Sequence, residues 1–130
     1  MTIYALSTGA GISGIAVIRV SGKKTPEIVK KLTGAELPRP RVATLRKFNK
    51  NGIKELIDEG VIIWFPAPNS YTGEDLAEFH VHGSRAVIRA MHSAISKVKN
   101  CRLAEPGEFT KRVFQNGRIN LLKAESVADL

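Results

Sequence analysis

The chain of 130 residues has little cysteine, few aromatic residues and no long apolar run. Its single cysteine, Cys101, rules out an intramolecular disulfide and fits a reducing compartment, so we expect a cytoplasmic protein. No apolar run is long enough to span a bilayer, and Met1 to Tyr4 leads directly into a strand pattern instead of a signal peptide. We therefore expect no membrane partner, and the length fits one domain.

Several motifs of enzyme chemistry are also missing. There is no G-x-S-x-G, no catalytic cysteine signature and no phosphate-binding loop of the form G-x-x-x-x-G-K-[ST]. Gly9, Gly11 and Gly14 do match G-x-G-x-x-G after a strand pattern. The residues that follow, I-A-V-I-R-V, predict a strand, whereas that fingerprint needs a helix N-terminus to bind a pyrophosphate. The loop is better interpreted as a turn or as a backbone-lined edge of a ligand site.

Acidic residues are scarce outside one short region. Residues 1–54 carry a net charge of +9, residues 55–78 carry −6, and residues 79–130 carry +5. A basic surface attracts a polyanion such as RNA, or a small anionic ligand. Solvated Lys and Arg on polar faces explain the same charge. The sequence contains no arginine-rich run or repeated aromatic platform that favours nucleic acid.

The most informative stretch runs from residue 61 to residue 83. Its first five residues, V-I-I-W-F, predict a buried strand that Pro66 and Pro68 end. Turn-forming residues then surround Tyr71. The next strand alternates strictly, so its residues divide between an apolar face and a polar face. The apolar face carries Ala77, Phe79 and Val81, and the polar face carries Glu78, His80 and His82.

The remaining pattern predicts an α+β fold, a mixed sheet with helices packed on it. Further strands are expected at 3–6, 15–20, 42–48 and from 53 onward. The last two are joined through Asn51-Gly52, a strong hairpin signal, and the second can continue into 61–65. Cys101 falls in a predicted connector.

Helix signals are clearest in four places. Thr25 is the expected N-cap of a first helix that ends at Gly34. Apolar spacing predicts a second helix over 85–98 and a third over 108–115, with Phe109, Val113 and Phe114 facing inward. Asn120 is the expected cap of a last helix over 121–130, which lacks any stop signal, so we expect a fragment of a longer protein.

Two groups of polar residues could carry chemistry. Glu78, His80 and His82 are possible metal ligands on one strand face, although a polar face hydrogen-bonded to neighbouring strands is the favoured explanation. Arg19 is the only charge inside the strand over 15–20, and Glu78 is a plausible partner for it. Without other information, a structural ion pair is favoured there over a ligand-binding pair.

Three long segments resemble one family. They are G-I-A-V-I-R-V-S-G over 14–22, F-P-A-P-N-S-Y-T-G-E-D over 65–75 with E-F-H-V-H-G over 78–83, and the whole of 103–130. The chain is similar to the N-terminal domain of the bacterial and organellar tRNA modification GTPases, the MnmE or TrmE family. The resemblance implies a tetrahydrofolate-binding and dimerisation domain over 1–118 and the start of a truncated helical domain over 119–130. It also implies a fold similar to the folate-binding domain of the glycine-cleavage T-protein.

For the full-length protein, the resemblance implies an enzyme. It implies a GTP hydrolase that uses Mg and K in a GTPase domain missing from this chain. It also implies a homodimer that works with a flavoprotein of the MnmG (GidA) type on the carbon-5 position of the wobble uridine of tRNA. The one-carbon source is expected to be 5-formyl- or methylene-tetrahydrofolate. The fragment alone is not expected to be catalytic or to hydrolyse GTP.

The family's folate contacts correspond to Arg19, Glu78 and Arg118 in this sequence. A carboxylate can accept hydrogen bonds from a pterin, and arginines can bind folate carbonyls or carboxylates. This implication reverses the preference for a structural Arg19–Glu78 pair. The loop over 9–14 departs from the family's P-P-G-R-G-G pattern. Two alternatives therefore stay open: a dimerisation and RNA-docking module with a decayed folate pocket, and a zinc-assisted enzyme that uses His80 and His82.

Overall fold

The computed structural model of the chain describes residues 1–7, 14–50 and 54–117. These residues form strands and helices in mixed order, which confirms the predicted α+β class. The elements are β1 (Thr2–Leu6), β2 (Ile15–Ser21), α1 (Thr25–Thr33), β3 (Thr44–Asn49), β4 (Leu56–Phe65), β5 (Leu76–His82), α2 (Arg85–Ser96), β6 (Cys101–Leu103) and α3 (Glu108–Gln115). The expected similarity to the T-protein stays a prediction.

The strands form one six-stranded sheet in the order β3-β4-β5-β2-β1-β6. Neighbouring strands are antiparallel except β1 and β6, which are parallel, so the sheet is mixed as predicted. β5 lies between β2 and β4, with Arg19 of β2 and Ile63 of β4 both opposite Glu78. Residues directly opposite in such ladders point to the same face, so these three side chains share one face.

The covered face of the sheet carries α1, α2 and the main core. Ala77, Phe79 and Val81 are buried there, as the alternation of β5 predicts. Phe79 lies opposite both Ile18 and Ile62, and its ring meets the ring of Phe48 edge-on at 5.2 Å. The helices contribute the other buried residues of this cluster: Ile28, Val29, Leu32, Met91, Ala94 and Ile95. Full burial of each large apolar side chain contributes roughly 1.5–3 kcal/mol.

The open face of the sheet corrects the prediction for residues 61–65. Ile62 and Trp64 are buried, but Val61, Ile63 and Phe65 are only half-buried. The prediction of a buried strand therefore holds for only one face of it, because α1 and α2 cover only the face toward which Ile62 points. The suggested continuation of the strand is confirmed, since β4 runs unbroken through Asp58 and Glu59 to Phe65. β3 and β4 pair antiparallel as predicted, while Asn51-Gly52 lies outside the described residues.

Two local predictions are corrected by tertiary contacts. Lys24, not Thr25, is the N-cap of α1, and Thr25 is fully buried with its hydroxyl donating to the carbonyl of Asp75 at 3.2 Å. The hydroxyl is therefore used to join α1 to the start of β5. Gly34 ends the helix in the left-handed conformation, with φ of 65°, as predicted. Cys101 lies in β6 instead of a connector, because residues 101–103 pair with β1.

The third helix matches its prediction. α3 spans Glu108–Gln115, with Val113 buried and Phe109 and Phe114 half-buried. Arg112 ties it to the sheet by donating to the carbonyl of Met1 at 2.6 Å. The helix expected over 121–130 lies outside the described residues, and the proposed domain boundary at residue 118 stays a prediction. Within 1–7, 14–50 and 54–117, each helix is too short or too polar to cross a membrane.

Candidate functional site

The open face of the sheet brings Arg19 and Glu78 together, as the sequence predicted. The Arg19 guanidinium donates to Oε2 of Glu78 from Nε at 3.1 Å and from Nη2 at 2.8 Å. The two side chains are 28% and 17% exposed, so solvent reaches the pair without fully screening it. Two donors on one carboxylate oxygen fix the geometry of the pair.

His80 completes a three-residue cluster around Glu78. Its Nε2 donates to Oε1 of Glu78 at 3.1 Å, so each oxygen of the carboxylate has a partner. Burial raises the pKa of Glu78, but the hydrogen bonds from His80 and Arg19 outweigh burial and lower the pKa below its usual value. Glu78 is therefore an ionised acceptor at neutral pH. A ligand with two adjacent N–H groups could replace His80 or Arg19 at this carboxylate.

Tyr71 covers the cluster from the segment that links β4 to β5. Its ring centroid lies 5.4 Å from the guanidinium carbon of Arg19, which is the geometry of a cation–π contact. The side chain is 43% exposed, so part of the ring is available to solvent. An aromatic face beside a charged pair is a surface on which a flat heterocycle can stack.

The segment over residues 66–75 is held in place at several points. The amide of Ala67 donates to Oδ1 of Asp75 at 2.9 Å, and Nη2 of Arg41 donates to the carbonyl of Asn69 at 2.7 Å. The hydroxyls of Ser21 and Thr72 are 2.7 Å apart. These contacts on both sides of Tyr71 position its ring over Arg19 without requiring a ligand to order the segment.

An apolar cavity of about 410 Å³ adjoins the cluster on the same face. His80 is common to both, and the cavity extends from it across β4 and β2. The apolar residues Ile15, Ala43, Val61 and Ile63 contribute to its lining. Ile15 is 59% exposed although its side chain is large and apolar. The volume falls in the range of small-molecule sites, which combine an apolar wall with a few polar groups.

His82 lies apart from this cluster. Its ring Nδ1 and its backbone amide both contact the Asp58 carboxylate at 2.8 Å. Burial raises the pKa of Asp58, and the hydrogen bonds from His82 more than offset this and lower it. His80 and His82 therefore have different carboxylate partners. Across the residues that the structure describes, no group of three metal-ligating side chains is disposed to hold a metal, so the zinc hypothesis gains no support there.

The third predicted folate residue, Arg118, lies outside the described residues. The chain leading to it is fixed beside the site: Asn116 donates from Nδ2 to the carbonyl of Thr72 at 2.7 Å. Thr72 follows Tyr71 directly. The end of α3 is therefore anchored to the segment that covers Arg19 and Glu78.

A charge network that sequence reasoning missed anchors α3. Arg112 donates to Oε1 of Glu74 at 3.0 Å, and Glu108 receives two donors from Arg102, at 2.7 and 2.6 Å. The hydrogen bonds from Arg102 are the main reason why the pKa of Glu108 falls from 4.5 to about 2. The i, i+4 spacing of Glu108 and Arg112 was a readable signal. Glu74 gave none, because Arg112 is distant from it in sequence, and Arg102 gave none, because it lies outside the helix that carries Glu108.

The glycine-rich loop is mostly outside the described residues, which include only Gly14. The structure does confirm that the following segment is a strand, β2, and not a helix. The G-x-G-x-x-G match therefore has no helix N-terminus after it, and the dinucleotide interpretation fails on that ground.

Comparisons with known proteins agree with the resemblance. Residues 2–118 match the family model described as "GTP-binding protein TrmE N-terminus". The tRNA modification GTPase MnmE of Pelagibacter ubique is 73% identical over 130 residues, covering 100% of this chain and 29% of that protein. The corresponding Caulobacter vibrioides protein is 51% identical over 129 residues, covering 99% of this chain and 28% of that protein.

A mitochondrial relative extends the comparison beyond bacteria. The Danio rerio protein named 5-taurinomethyluridine-[tRNA] synthase subunit GTPB3 is 48% identical over 129 residues, covering 99% of this chain and 26% of that protein. The chain thus spans less than a third of the length of these relatives. Because the family model matches nearly the whole chain, the chain belongs to the family described as the TrmE N-terminus.

Proposed function

We propose that this domain binds a reduced folate on the open face of its sheet, at Arg19, Glu78 and Arg118. The observation that carries the proposal is the ionised Glu78, held by Arg19 and His80 beside an apolar cavity of about 410 Å³. The pterin ring offers adjacent amino and ring N–H donors, which match a carboxylate with two oxygens.

Each part of a folate has a suitable neighbour in this arrangement. The pterin stacks on the exposed face of Tyr71 and hydrogen-bonds to Glu78. The aromatic linker lies against the apolar wall formed by Ile15, Val61 and Ile63, and Arg19 or Arg118 binds a carbonyl or carboxylate of the ligand. Arg19 therefore has two roles, as the ion-pair partner of Glu78 and as a ligand contact.

For the full-length protein, we propose the activity carried in the relatives' names, tRNA modification coupled to GTP hydrolysis. The bound folate, a 5-formyl- or methylene-tetrahydrofolate, supplies the one-carbon unit for carbon 5 of the wobble uridine. GTP, Mg and K act in a GTPase domain outside this chain, and a flavoprotein of the MnmG type is the partner. This domain contributes binding and positioning, with no catalytic residue of its own.

We also propose that the domain forms a homodimer, and that the open face contributes to the contact. Ile15, Leu45 and Leu56 are 59%, 63% and 56% exposed. Leu45 lies opposite Val61, and Val61 lies opposite His80, so Leu45 shares a face with the cavity wall. Burying these side chains against a second copy would remove apolar surface from water.

Isothermal titration calorimetry of the purified protein with 5-formyl-tetrahydrofolate tests the folate proposal. The variants are Glu78→Gln, which keeps the shape and loses the charge, and Glu36→Gln, a matched control at a side chain that is 93% exposed. We expect at least a tenfold loss of affinity for Glu78→Gln and no change for the control. The parent protein's failure to bind would favour the alternative, a dimerisation and RNA-docking module without a folate pocket.

A further inference from the structure

In α2 and residues 97–100, which follow it, every charged side chain is basic. Residues 85–100 contain four basic side chains, Arg85, Arg89, Lys97 and Lys99, and no Asp or Glu. The apolar side of α2, with Met91, Ala94 and Ile95 buried, packs on the covered face of the sheet. Its outer side carries Arg85, Arg89 and Ser93, all of which are exposed. Arg85 and Arg89 therefore lie on one exposed side of α2, and Lys97 and Lys99 follow its end.

A groove with a cavity of about 370 Å³ runs along this side of α2, next to the end of β3. We call it the α2 groove. It lies on the helix-covered side of the sheet, whereas Arg19 and Glu78 lie on the open side. Its lining includes three cations and three small side chains: Lys50, Arg89, Lys97, Ala86, Ala90 and Ser93. Small side chains allow another molecule's backbone to approach the helix closely.

The cations of the α2 groove differ in whether they are already neutralised. Nζ of Lys50 is paired with Glu55 at 2.8 Å. Among the described residues, neither Arg89 nor Lys97 has a carboxylate within ion-pair distance. They are eight residues apart, or about 12 Å along a helix axis. A nucleic acid duplex places several phosphates within that distance.

We propose that the α2 groove binds the phosphate backbone of RNA. The choice of RNA rests on the proposed function, since relatives of this chain are named for tRNA modification. The lining favours a phosphate backbone over a protein partner, because it has no aromatic or large apolar side chain to act as an interface anchor. Lys and Arg without base-reading partners position RNA without reading its sequence.

The test compares two double variants that change the charge equally. Arg89→Glu with Lys97→Glu removes the unpaired cations of the groove. Arg39→Glu with Lys111→Glu makes the same change at two exposed cations outside it. Fluorescence anisotropy of a labelled, unmodified tRNA transcript is measured over a series of salt concentrations.

We expect the groove variant to bind tRNA at least tenfold more weakly than the parent. The slope of log K against log salt concentration should be smaller in magnitude by about two, because each phosphate contact contributes about 0.9 to that slope. The control should lose less than about threefold. Equal affinity in the groove variant, or an equal loss in the control, overturns the proposal and leaves an acidic protein surface as the occupant.

A second measurement separates this proposal from the folate proposal. Both variants are titrated with 5-formyl-tetrahydrofolate, and we expect the affinity of the parent in each. A parent that binds tRNA through the groove but binds no folate would overturn the folate site and leave the groove standing. If the Glu substitutions prevent folding, Arg89→Ala with Lys97→Ala replaces them, with an expected loss of at least fivefold; parental affinity there overturns the proposal.

Discussion

The two faces of the sheet differ in how their polar and apolar groups are satisfied. On the covered face, Ile18, Ile62 and Phe79 are completely buried under α1 and α2. On the open face, Ile63 is half-buried, while Glu78 and His80 hydrogen-bond to each other. The covered face is therefore built for apolar burial, and the open face keeps a fixed charge and an apolar wall in contact with solvent.

This difference separates residues that hold the fold together from residues available for binding. A buried core side chain has no surface left for a ligand, so its substitution reports on stability. The open-face residues give less stability because solvent already reaches them. They can therefore carry polar groups at modest cost.

Truncating one large apolar side chain on each face should give the largest difference in the free energy of unfolding. Phe79→Ala removes a fully buried ring that contacts Phe48, and we expect a loss of about 3–5 kcal/mol in the free energy of unfolding. Ile63→Ala, on the open face, should cost about 1–2 kcal/mol, since part of this side chain is already hydrated. Urea denaturation of the two variants measures both values. Equal losses would mean that another part of the molecule buries the open face.

A substitution at Gly60, where β4 and β5 approach closely, should cost the next largest amount of stability. A Cβ atom added at Gly60 would lie 2.0 Å from the carbonyl oxygen of His80, a backbone atom that cannot rotate away. We expect Gly60→Ala to cost about 2–3 kcal/mol through displacement of the strands. Thermal unfolding measures the loss.

Gly34→Ala is the matched control for that substitution. Gly34 has φ of 65° and no atom within 4 Å of the added Cβ, so only the backbone conformation opposes the change. Its cost should be about 1 kcal/mol. If Gly34→Ala proves as costly as Gly60→Ala, the loss at Gly60 does not come from the contact with His80.

The charge network that anchors α3 should make a smaller, pH-dependent contribution to the free energy of unfolding. The pKa of Glu108 is lowered from 4.5 to about 2, so the folded protein keeps this carboxylate ionised where the unfolded chain protonates it. Its stabilisation is complete above about pH 4.5 and is lost as the pH falls towards 2. Because Arg102 is 41% exposed, solvent screening limits the contribution to about 1 kcal/mol.

Glu108→Gln tests this contribution. Relative to the parent, the variant should lose about 1 kcal/mol at neutral pH, and the difference should shrink to nothing near the lower end of the titration. Unfolding curves at several pH values measure it, with Glu36→Gln as a control whose carboxylate is 93% exposed. A constant difference at every pH would show that the ionised form of Glu108 is not what stabilises the anchor.

The alternation of residues 76–82 was enough to predict which side chains of β5 share a face. It also suggested the pairing of Arg19 with Glu78, which the register of β2 and β5 confirms. Strict alternation carries this information locally, so no distant contact is needed to read it. The α3 boundaries were predictable for the same reason, from the helical spacing of Phe109, Val113 and Phe114.

The wrong predictions concern features that depend on tertiary contacts, which the local sequence does not reveal. V-I-I-W-F has no polar residue to mark its open side, so nothing in it shows that helices cover only one face. β6 has three residues and becomes a strand only because β1, almost 100 residues earlier, pairs with it. Likewise, the buried hydroxyl of Thr25 bonds to Asp75 instead of capping its helix, which no local pattern reveals.

His92 lies on the covered side, and its substitution should change stability about as little as that of Glu108. Its Nε2 is buried and, among the described residues, has no hydrogen-bond partner, while its ring meets Tyr4 edge-on at 5.4 Å. Burial lowers the pKa of His92 below 6.5. Just below pH 6.5 the unfolded chain therefore binds a proton at this imidazole that the folded protein does not bind. Stability should therefore fall as the pH drops through about 6.5.

His92→Phe keeps the ring contact with Tyr4 and removes the unsatisfied nitrogen. We expect a gain of about 1 kcal/mol in the free energy of unfolding at neutral pH, because a buried polar atom without a partner costs about that much. The gain should grow as the pH falls below about 6.5, since the variant has no imidazole to protonate in the unfolded state. His82→Phe provides the contrast: that ring is 74% exposed and paired with Asp58, so its loss should stabilise nothing. Equal behaviour of the two variants across pH would mean that burial on the covered face does not set the titration of His92.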